Sequence, residues 1–167
     1  MSRRYALFVD LDGVLADFDR RVLELTGRSP SMQSPSHMWP ILARTPGFYA
    51  ELPWTPDGKR LWNYLRPYRP VVLTGLPRGT WARPQKLQWC RRELGPEVEV
   101  ITCMSREKAE KARAWLHEHA EGQLPTPVLV DDRASLREQW EGMGGIFVHH
   151  TDARSTITRL NERVLKT

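Results

Sequence analysis

Short apolar runs alternate along this chain with longer stretches in which apolar residues recur every three or four positions. The short runs span four to six residues and are typical of buried strands, whereas the longer stretches are typical of amphipathic helices. We predict five strands, at about residues 5–10, 70–74, 98–103, 128–131 and 146–149. Strands that alternate with helices in this way predict an α/β fold with a central parallel sheet.

The interval between the first two predicted strands, residues 19–70, is too long for a simple crossover. Within it the sequence Ser-Pro-Ser-Met-Gln-Ser-Pro-Ser at 29–36 is typical of a loop, and the stretches on either side are typical of helices. We therefore predict a single domain over residues 1–167 with a small helical insertion at about residues 19–55. An insertion at this point lies over the carboxyl end of the first strand.

The composition is ordinary for a soluble globular protein, with 40% hydrophobic and 27% charged residues. No apolar run has the length of a membrane span, and the amino-terminal residues lack the apolar region of a signal peptide, so we expect a cytoplasmic protein without a membrane partner. Cys90 and Cys103 lack the spacing of metal ligands, and we expect both to be reduced and structural.

The net charge of +5 and the isoelectric point near 9.6 come from basic residues that are scattered along the chain in runs no longer than two. Scattered arginines are typical of solvated helix faces and argue against nucleic acid as the partner. A basic balance still favours small anionic substrates, because it attracts them over long range.

Two carboxylates close the first predicted strand. Asp10 and Asp12 lie two residues apart before Gly13, and side chains at this spacing point to the same side of a strand or its extension. Such a pair suits a phosphoryl transfer in which one carboxylate is the nucleophile and forms an aspartyl-phosphate. The other gives a proton to the leaving oxygen and later activates water. The alternative is a strand that simply ends in an Asp-Gly turn.

Polar residues also follow other predicted strands. Thr74 and Gly75 end the second strand, where a hydroxyl and an exposed backbone amide can donate to phosphate oxygens. Asp131 and Asp132 end the fourth strand, and one of them can instead cap the helix that begins near Ala134. Because ligands of open α/β sheets bind at the carboxyl ends of the strands, these residues converge on one crevice.

The segment Asp-Leu-Asp-Gly-Val-Leu-Ala-Asp-Phe at 10–18 resembles the first motif of the haloacid dehalogenase superfamily of phosphotransferases, and within it the 5'(3')-deoxyribonucleotidases. The later motifs are similar to Val-Leu-Thr-Gly at 72–75, Ser-Arg-Glu-Lys at 105–108 and Val-Leu-Val-Asp-Asp at 128–132. The resemblance covers nearly the whole chain. It implies a three-layer Rossmann-like core with a small helical cap after the first strand, Mg²⁺, and hydrolysis of nucleoside monophosphates.

The resemblance also implies roles for particular residues. Asp10 and Asp12 become the catalytic pair, and Thr74, Gly75 and a lysine hold the phosphoryl oxygens. The metal ligands would be Asp10, the backbone carbonyl of Asp12, and a fourth-strand carboxylate, for which Asp131 and Asp132 both remain candidates.

Two lysines compete for the catalytic position. Lys108 directly follows the third strand and matches the family's Ser/Thr-Arg-Asp/Glu-Lys pattern, with Ser105 as a candidate helix N-cap, and we prefer it. Lys86 resembles a family lysine in the helix after Thr74 and is the second choice. Arg106 can add another positive charge at the substrate.

Phe18 and Trp39 are candidate substrate-binding aromatics. Phe18 follows the first motif where the family places an aromatic that contacts the base, and Trp39 lies in the inserted segment and resembles the aromatic cap loop. Aromatic faces stack on nucleobases. Other tryptophans, such as Trp62, Trp89 and Trp115, are interpreted as structural.

Three questions stay open at the level of sequence. The substrate can instead be another small phosphate monoester or a terminal phosphate on nucleic acid, since Gly75 stands where the nucleotidase pattern more often has Ser. A non-catalytic binding module on the same fold is a further alternative, against which the intact acidic and basic motifs argue. The oligomeric state is not predicted, and the adjacent His149 and His150 lack metal-ligand geometry and receive no role.

Overall fold

A computed structural model describes residues 4–165. Its centre is a five-stranded sheet in which every neighbouring pair is parallel, in the order β3-β2-β1-β4-β5. The strands are β1 (Tyr5–Val9), β2 (Val71–Gly75), β3 (Val100–Cys103), β4 (Thr126–Asp131) and β5 (Ile146–His149). All five predicted strands are confirmed, with boundaries that differ by two residues at most.

Seven α-helices connect or follow these strands within the described residues. They are α1 (Phe18–Thr26), α2 (Pro35–Arg44), α3 (Gly58–Leu65), α4 (Ala82–Glu93), α5 (Lys108–His119), α6 (Arg137–Gly142) and α7 (Ala153–Arg163). Residues 4–165 contain no helix of the length and apolarity that crossing a membrane requires.

The sheet is buried on both faces, which explains why its strands read as continuous apolar runs. Along β1, Leu7 and Val9 belong to one hydrophobic cluster and Phe8 belongs to another on the opposite face. Helices α3, α4 and α7 contribute to the first cluster, and α5 and α6 contribute to the second. The predicted three-layer α/β core is confirmed.

The segment between β1 and α3 folds back on itself. Ala16 and Trp54 form an antiparallel bridge, and the flanking backbone bonds run from Asp17 N to Pro53 O at 2.8 Å and from Thr55 N to Leu15 O at 2.8 Å. The two ends of the inserted segment therefore meet beside the end of β1.

Three local predictions are wrong in detail. The 29–36 segment is not all loop, because a 3-10 turn forms at Pro30–Met32 and α2 begins at Pro35. Proline suits the first helical position, where a missing N–H costs nothing. Ser105 is not an N-cap: Met104 precedes the 3-10 turn Ser105–Glu107, and the Glu107 side chain accepts its N–H at 2.9 Å. Neither Asp131 nor Asp132 caps a helix, since a 3-10 turn with Arg133 at its N-cap precedes α6.

Candidate active site

A cavity of about 650 Å³ opens at the carboxyl ends of β1, β2 and β4. Residues from the β1 loop, from the inserted segment and from the loops after β2, β3 and β4 line it. A crevice at this edge of an open parallel sheet is the usual place for a ligand. The predicted site residues that line the cavity are Asp10, Asp12, Phe18, Trp39, Gly75, Lys108, Asp131 and Asp132.

The β1 loop fixes the two leading carboxylates. The Asp10 N–H donates to Val130 O at 2.9 Å, so Asp10 continues the pairing of β1 with β4. Three N–H groups, those of residues 14–16, then converge on Leu11 O and close a tight turn. Gly13 has φ +79°, and a Cβ there would collide with the Asp132 carboxylate, so glycine is required on both grounds.

Asp10, Asp131 and Asp132 form a cluster of carboxylates. One oxygen of each lies within 4.8 Å of the others. Burial, reinforced by the Asp10 charge, raises the pKa of Asp131 to about 6. Burial and the charges of Asp10 and Asp131 raise the pKa of Asp132 to about 8. Burial and the neighbouring charges therefore both disfavour the charged forms of Asp131 and Asp132.

Lys108 lies inside this cluster at the start of α5. Its Nζ donates to Asp10 Oδ1 at 3.0 Å and to Asp131 Oδ2 at 2.7 Å. Burial alone would lower the pKa of Lys108, but the two carboxylates outweigh it and raise the pKa above its usual value. The lysine that sequence favoured therefore contacts the predicted nucleophile directly.

Lys86, the second choice, holds the other carboxylate. It projects from α4, is fully buried, and its Nζ donates to Asp12 Oδ2 at 2.7 Å, Thr74 Oγ1 at 3.0 Å and Gly75 O at 2.6 Å. The structure thus places both lysines at the cavity, one on each of the two carboxylates predicted to be catalytic, whereas the sequence analysis treated them as competitors.

Asp12 has two unlike oxygens. Oδ2 accepts from Lys86, whereas Oδ1 is buried and has no hydrogen-bond partner among the described residues. Burial raises the pKa of Asp12 above its ordinary value, although Lys86 acts in the opposite direction. A carboxyl group that favours its proton and has one oxygen uncommitted is suited to give that proton to a ligand.

Thr74 and Gly75 end β2 beside these groups. Thr74 is fully buried, and its hydroxyl oxygen accepts from Lys86, so it braces the lysine. At Gly75 a Cβ would collide with the hydroxyl of Ser105, which also lines the cavity. The Ser105 hydroxyl therefore occupies the space that a side chain at position 75 would take.

Aromatic rings form one wall of the cavity. Phe18 lies between Trp39 and Tyr49, with ring centroids 5.9 Å and 6.0 Å away, and the Tyr49 ring is nearly parallel to it. Both predicted aromatics therefore face the cavity from the inserted segment. The Tyr49 ring also covers Lys86, whose Nζ lies 4.5 Å from its centroid.

Comparison with known proteins is informative at the level of structure only. No family model and no curated protein matches the chain. Three similar solved structures are a chain of a Pnkp1/Rnl/Hen1 complex, a haloacid dehalogenase-like family hydrolase from Streptococcus pneumoniae and a hydrolase from Streptococcus pneumoniae TIGR4. Their identities are 14%, 13% and 14%, and their TM-scores are 0.55, 0.52 and 0.51.

The alignments cover 91%, 92% and 97% of this chain. They cover 89% and 98% of the two pneumococcal chains but only 47% of the chain from the complex, so this protein spans about half of that chain's length. The chain has the haloacid dehalogenase-like fold. At these identities the likeness establishes the fold and no activity.

The resemblance of the sequence motifs implies a Mg²⁺ ion, and the donor set fits one. Asp10, Asp131 and Asp132 supply the carboxylate oxygens that hard cations prefer, and one oxygen of each lies within 4.8 Å of the others. The Asp12 carboxylate belongs to Lys86 and not to this cluster. Its backbone carbonyl stays the predicted ligand.

Sequence reasoning missed Tyr49 as a site residue. Tyr49 is buried. Burial and the negative charges of Asp12 and Asp10 raise the pKa of its phenol, so the ring acts as a neutral cover. Gln85, next to Lys86 on α4, accepts the Tyr49 N–H at 2.8 Å. No local motif signals these contacts, which depend on the fold.

The cavity is lined by none of the four residues to which sequence analysis gave no catalytic or metal-binding role, Cys90, Cys103, His149 and His150. Cys90 and Cys103 are buried free thiols, and burial raises their pKa values to about 12 and about 11. His150 is buried and paired with Thr156 Oγ1 at 2.7 Å. His149 Nε2 contacts the backbone oxygen of Asp132 at 2.9 Å and so supports the β4 loop from behind.

Proposed function

We propose that this protein is a Mg²⁺-dependent phosphomonoester hydrolase that forms an aspartyl-phosphate on Asp10 and acts on nucleoside monophosphates. The observation that carries the proposal is that two carboxylates in one cavity have different partners and different surroundings. Asp10 is held by Lys108, and Asp12 is held through Oδ2 by Lys86 with its Oδ1 uncommitted and its pKa raised. Environments that separate two carboxyl groups in this way assign one as nucleophile and one as acid.

In the first step an Asp10 oxygen forms a bond to phosphorus, and the bond from phosphorus to the nucleoside oxygen breaks. Asp12 gives its proton to that leaving oxygen. In the second step water attacks the phosphorus of the aspartyl-phosphate, Asp12 takes a proton from the water, and the bond to Asp10 breaks. Inorganic phosphate is released and both carboxyl groups return to their starting states.

Lys108 orients Asp10 and offsets charge on the phosphoryl group, while Lys86 holds Asp12 Oδ2 and leaves Oδ1 without a hydrogen-bond partner among the described residues. Gly75 ends β2 and Ser105 follows β3, and the two lie side by side in the cavity wall. There the Gly75 N–H and the Ser105 hydroxyl can donate to phosphoryl oxygens. When bound by the three clustered carboxylates, Mg²⁺ supplies positive charge that favours phosphate binding and the charge of the transition state.

The aromatic wall supports a nucleoside as the leaving group. Phe18 and Trp39 are only partly buried and line the same cavity as Asp10, so a base can stack on them while the phosphate reaches the carboxylates. Binding energy from a remote base can orient the reacting phosphate. A preference between 5' and 3' phosphates, or between deoxyribose and ribose, does not follow from these contacts.

A phosphate-release screen tests the proposal. Purified protein is assayed with and without Mg²⁺ on deoxyribonucleoside and ribonucleoside monophosphates, sugar phosphates and p-nitrophenyl phosphate. Mg²⁺-dependent release with the highest kcat/KM on nucleotides is expected. No release from any ester would contradict the hydrolase proposal, and equal rates on all esters would contradict the nucleotide preference.

A substitution of Trp39 tests the assignment of the aromatic wall to base binding. Trp39→Ala should lower kcat/KM on nucleotides by about tenfold, as expected for the loss of one stacking contact, and should affect p-nitrophenyl phosphate less. Tyr68→Ala is the matched control, because Tyr68 is an exposed aromatic that lines none of the site. Circular dichroism confirms folding, and equal losses on both substrates would assign Trp39 a structural role only.

A further inference from the structure

A second cavity of about 640 Å³ adjoins the catalytic one. It is a mostly apolar groove between α2 and the loop after β2, and Trp39, Pro40, Ala43 and Trp81 form much of its surface. We call it the α2 groove. Each of the two cavities by itself has the size of a typical small-molecule site, about 300–1,000 Å³. Together they exceed what one mononucleotide needs.

The α2 groove and the catalytic cavity share a wall. Trp39, Leu76, Pro77 and Met104 line both. A ligand whose phosphate lies at Asp10 and whose base stacks near Trp39 is therefore at the entrance of the groove. Any extension of that ligand past the first base has a continuous path into it.

The groove also carries a positive charge at its edge. Arg78 lines it and is exposed, and the carbonyl of Arg78 accepts the Trp81 Nε1–H at 3.2 Å, which fixes the loop. Among the described residues no salt bridge involves Arg78 or Arg106, which lines the neighbouring catalytic cavity. These two guanidinium groups are thus available to an anionic ligand.

An aromatic platform beside unpaired arginines is the combination by which proteins hold single-stranded nucleic acid. We propose that the α2 groove binds the second nucleoside of a phosphorylated single-stranded end, so that the substrate is an oligonucleotide terminus. Its terminal nucleotide occupies the catalytic cavity, and Arg78 contacts the phosphate that joins the two nucleosides. This inference rests on the proposed function and narrows its substrate class; mononucleotides are accepted but bind less tightly.

The two arginines favour this occupant over an apolar chain. A phosphate ester of a long alkyl alcohol would fill the apolar surface but would bring no second anion for Arg78. A phosphorylated dinucleotide brings both a second flat base and a second phosphate. The scattered basic charge of the chain is consistent with a ligand of this small size, because a long basic face for duplex nucleic acid is missing from the sequence pattern.

The test is a binding comparison in the Asp10→Asn variant with Mg²⁺, which is chosen to prevent turnover. The probes are thymidine 5'-monophosphate, thymidine 3'-monophosphate, the corresponding 5'- and 3'-phosphorylated dithymidines, and decyl phosphate, each titrated by calorimetry. One of the dinucleotides should bind about tenfold more tightly than its mononucleotide, the typical contribution of one stacked base.

Arg78→Gln and Ala43→Trp, each added to Asp10→Asn, should bring that dinucleotide-to-mononucleotide ratio towards one, because they remove the charge and fill the groove. Arg91→Gln is the matched control: Arg91 is an exposed arginine on α4 that lines neither cavity, and it should leave the ratio at its original value.

Dinucleotides that bind no better than mononucleotides would overturn the proposal, and so would decyl phosphate that binds more tightly than both. Phosphate release by the parent enzyme from the same probes distinguishes a failure of the proposed hydrolase activity from a failure of the α2 groove proposal. If none of them is hydrolysed but the dinucleotide still binds more tightly, the proposed hydrolase activity fails and the α2 groove assignment stands.

Discussion

Replacing Lys86 by Met tests most directly whether Lys86 holds Asp12, the proposed general acid. The substitution keeps a long flexible side chain in a fully buried position but removes the ammonium that donates to Asp12 Oδ2 at 2.7 Å, Thr74 Oγ1 at 3.0 Å and Gly75 O at 2.6 Å. Asp12 is then left without its cation beside the negative carboxylate cluster. Breaking a buried ion pair in this way typically costs about 3–5 kcal/mol.

We expect a loss near the lower end of this range, about 3 kcal/mol in the free energy of unfolding, because the Asp12 side chain is 23% exposed and water can reach part of it. The loss should shrink at low pH, where the stranded carboxyl group takes up a proton. Asp12→Asn should offset much of it, since an amide needs no counterion, and the double-mutant cycle should show a coupling of about 1–3 kcal/mol.

The assay is urea unfolding without Mg²⁺ at about pH 8 and about pH 5, because the stranded carboxyl group is more protonated at the lower pH. Lys111→Met, at an exposed position on α5, is the control and should change stability by less than about 0.5 kcal/mol. A Lys86→Met variant that loses less than about 1 kcal/mol, or an Asp12→Asn effect that is the same in both backgrounds, would refute the reasoning.

Four further outcomes are expected. Asp12→Asn should lower kcat on nucleotides by about a hundredfold or more but slow an aryl phosphate with an acidic phenol less, because that leaving group needs no proton; equal losses would count against the acid role. Since the folded state holds protons on Asp131 and Asp132 to higher pH than the unfolded state, metal-free stability should fall as pH rises from about 4 to about 8. Because Mg²⁺ binds the deprotonated carboxylates, the increase in Tm that it causes should be larger at about pH 8.5 than at about pH 5.5. In Asp132→Asn this increase should depend less on pH. An equal increase at both pH values in the parent protein would contradict the metal assignment. Gly75→Ala should displace the Ser105 hydroxyl and raise KM about tenfold with little change in Tm. Ser105→Ala should raise KM by a similar factor. If the two effects add in the double variant, the two substitutions do not remove the same contact.

The strand ends could be predicted from sequence because burial on both faces of a parallel sheet leaves a plain mark in the chain. Asp10 follows a run that is apolar throughout, and so does Asp131. Parallel strands then bring their carboxyl ends to one edge, which is why these two carboxylates could be expected to meet before any coordinates were known.

The roles of Lys86 and Lys108 could not be separated from sequence, because each depends on helix phase and on which neighbouring strand the helix crosses. Both lysines lie in the early part of a helix, and only the tertiary structure shows that α4 directs Lys86 to Asp12 while α5 directs Lys108 to Asp10 and Asp131. The two lysines, which the sequence presented as alternatives, are two parts of one site.

Tyr49 shows the same limit at the inserted segment. Tyr49 is buried, and its ring also covers Lys86 because Gln85 on α4 holds the Tyr49 backbone. Contacts between residues that lie some forty positions apart leave no periodic signal in a single sequence.

The most direct measurement for the central claim is to trap the phosphorylated enzyme. Protein mixed with a labelled nucleotide and Mg²⁺ is quenched in acid within the first turnover, digested, and its peptides are analysed by mass spectrometry. The account predicts one phosphoryl group on the peptide that contains Asp10, and neither label nor turnover in Asp10→Asn. A phosphoryl group on another residue, or Mg²⁺-dependent turnover by Asp10→Asn, would contradict it.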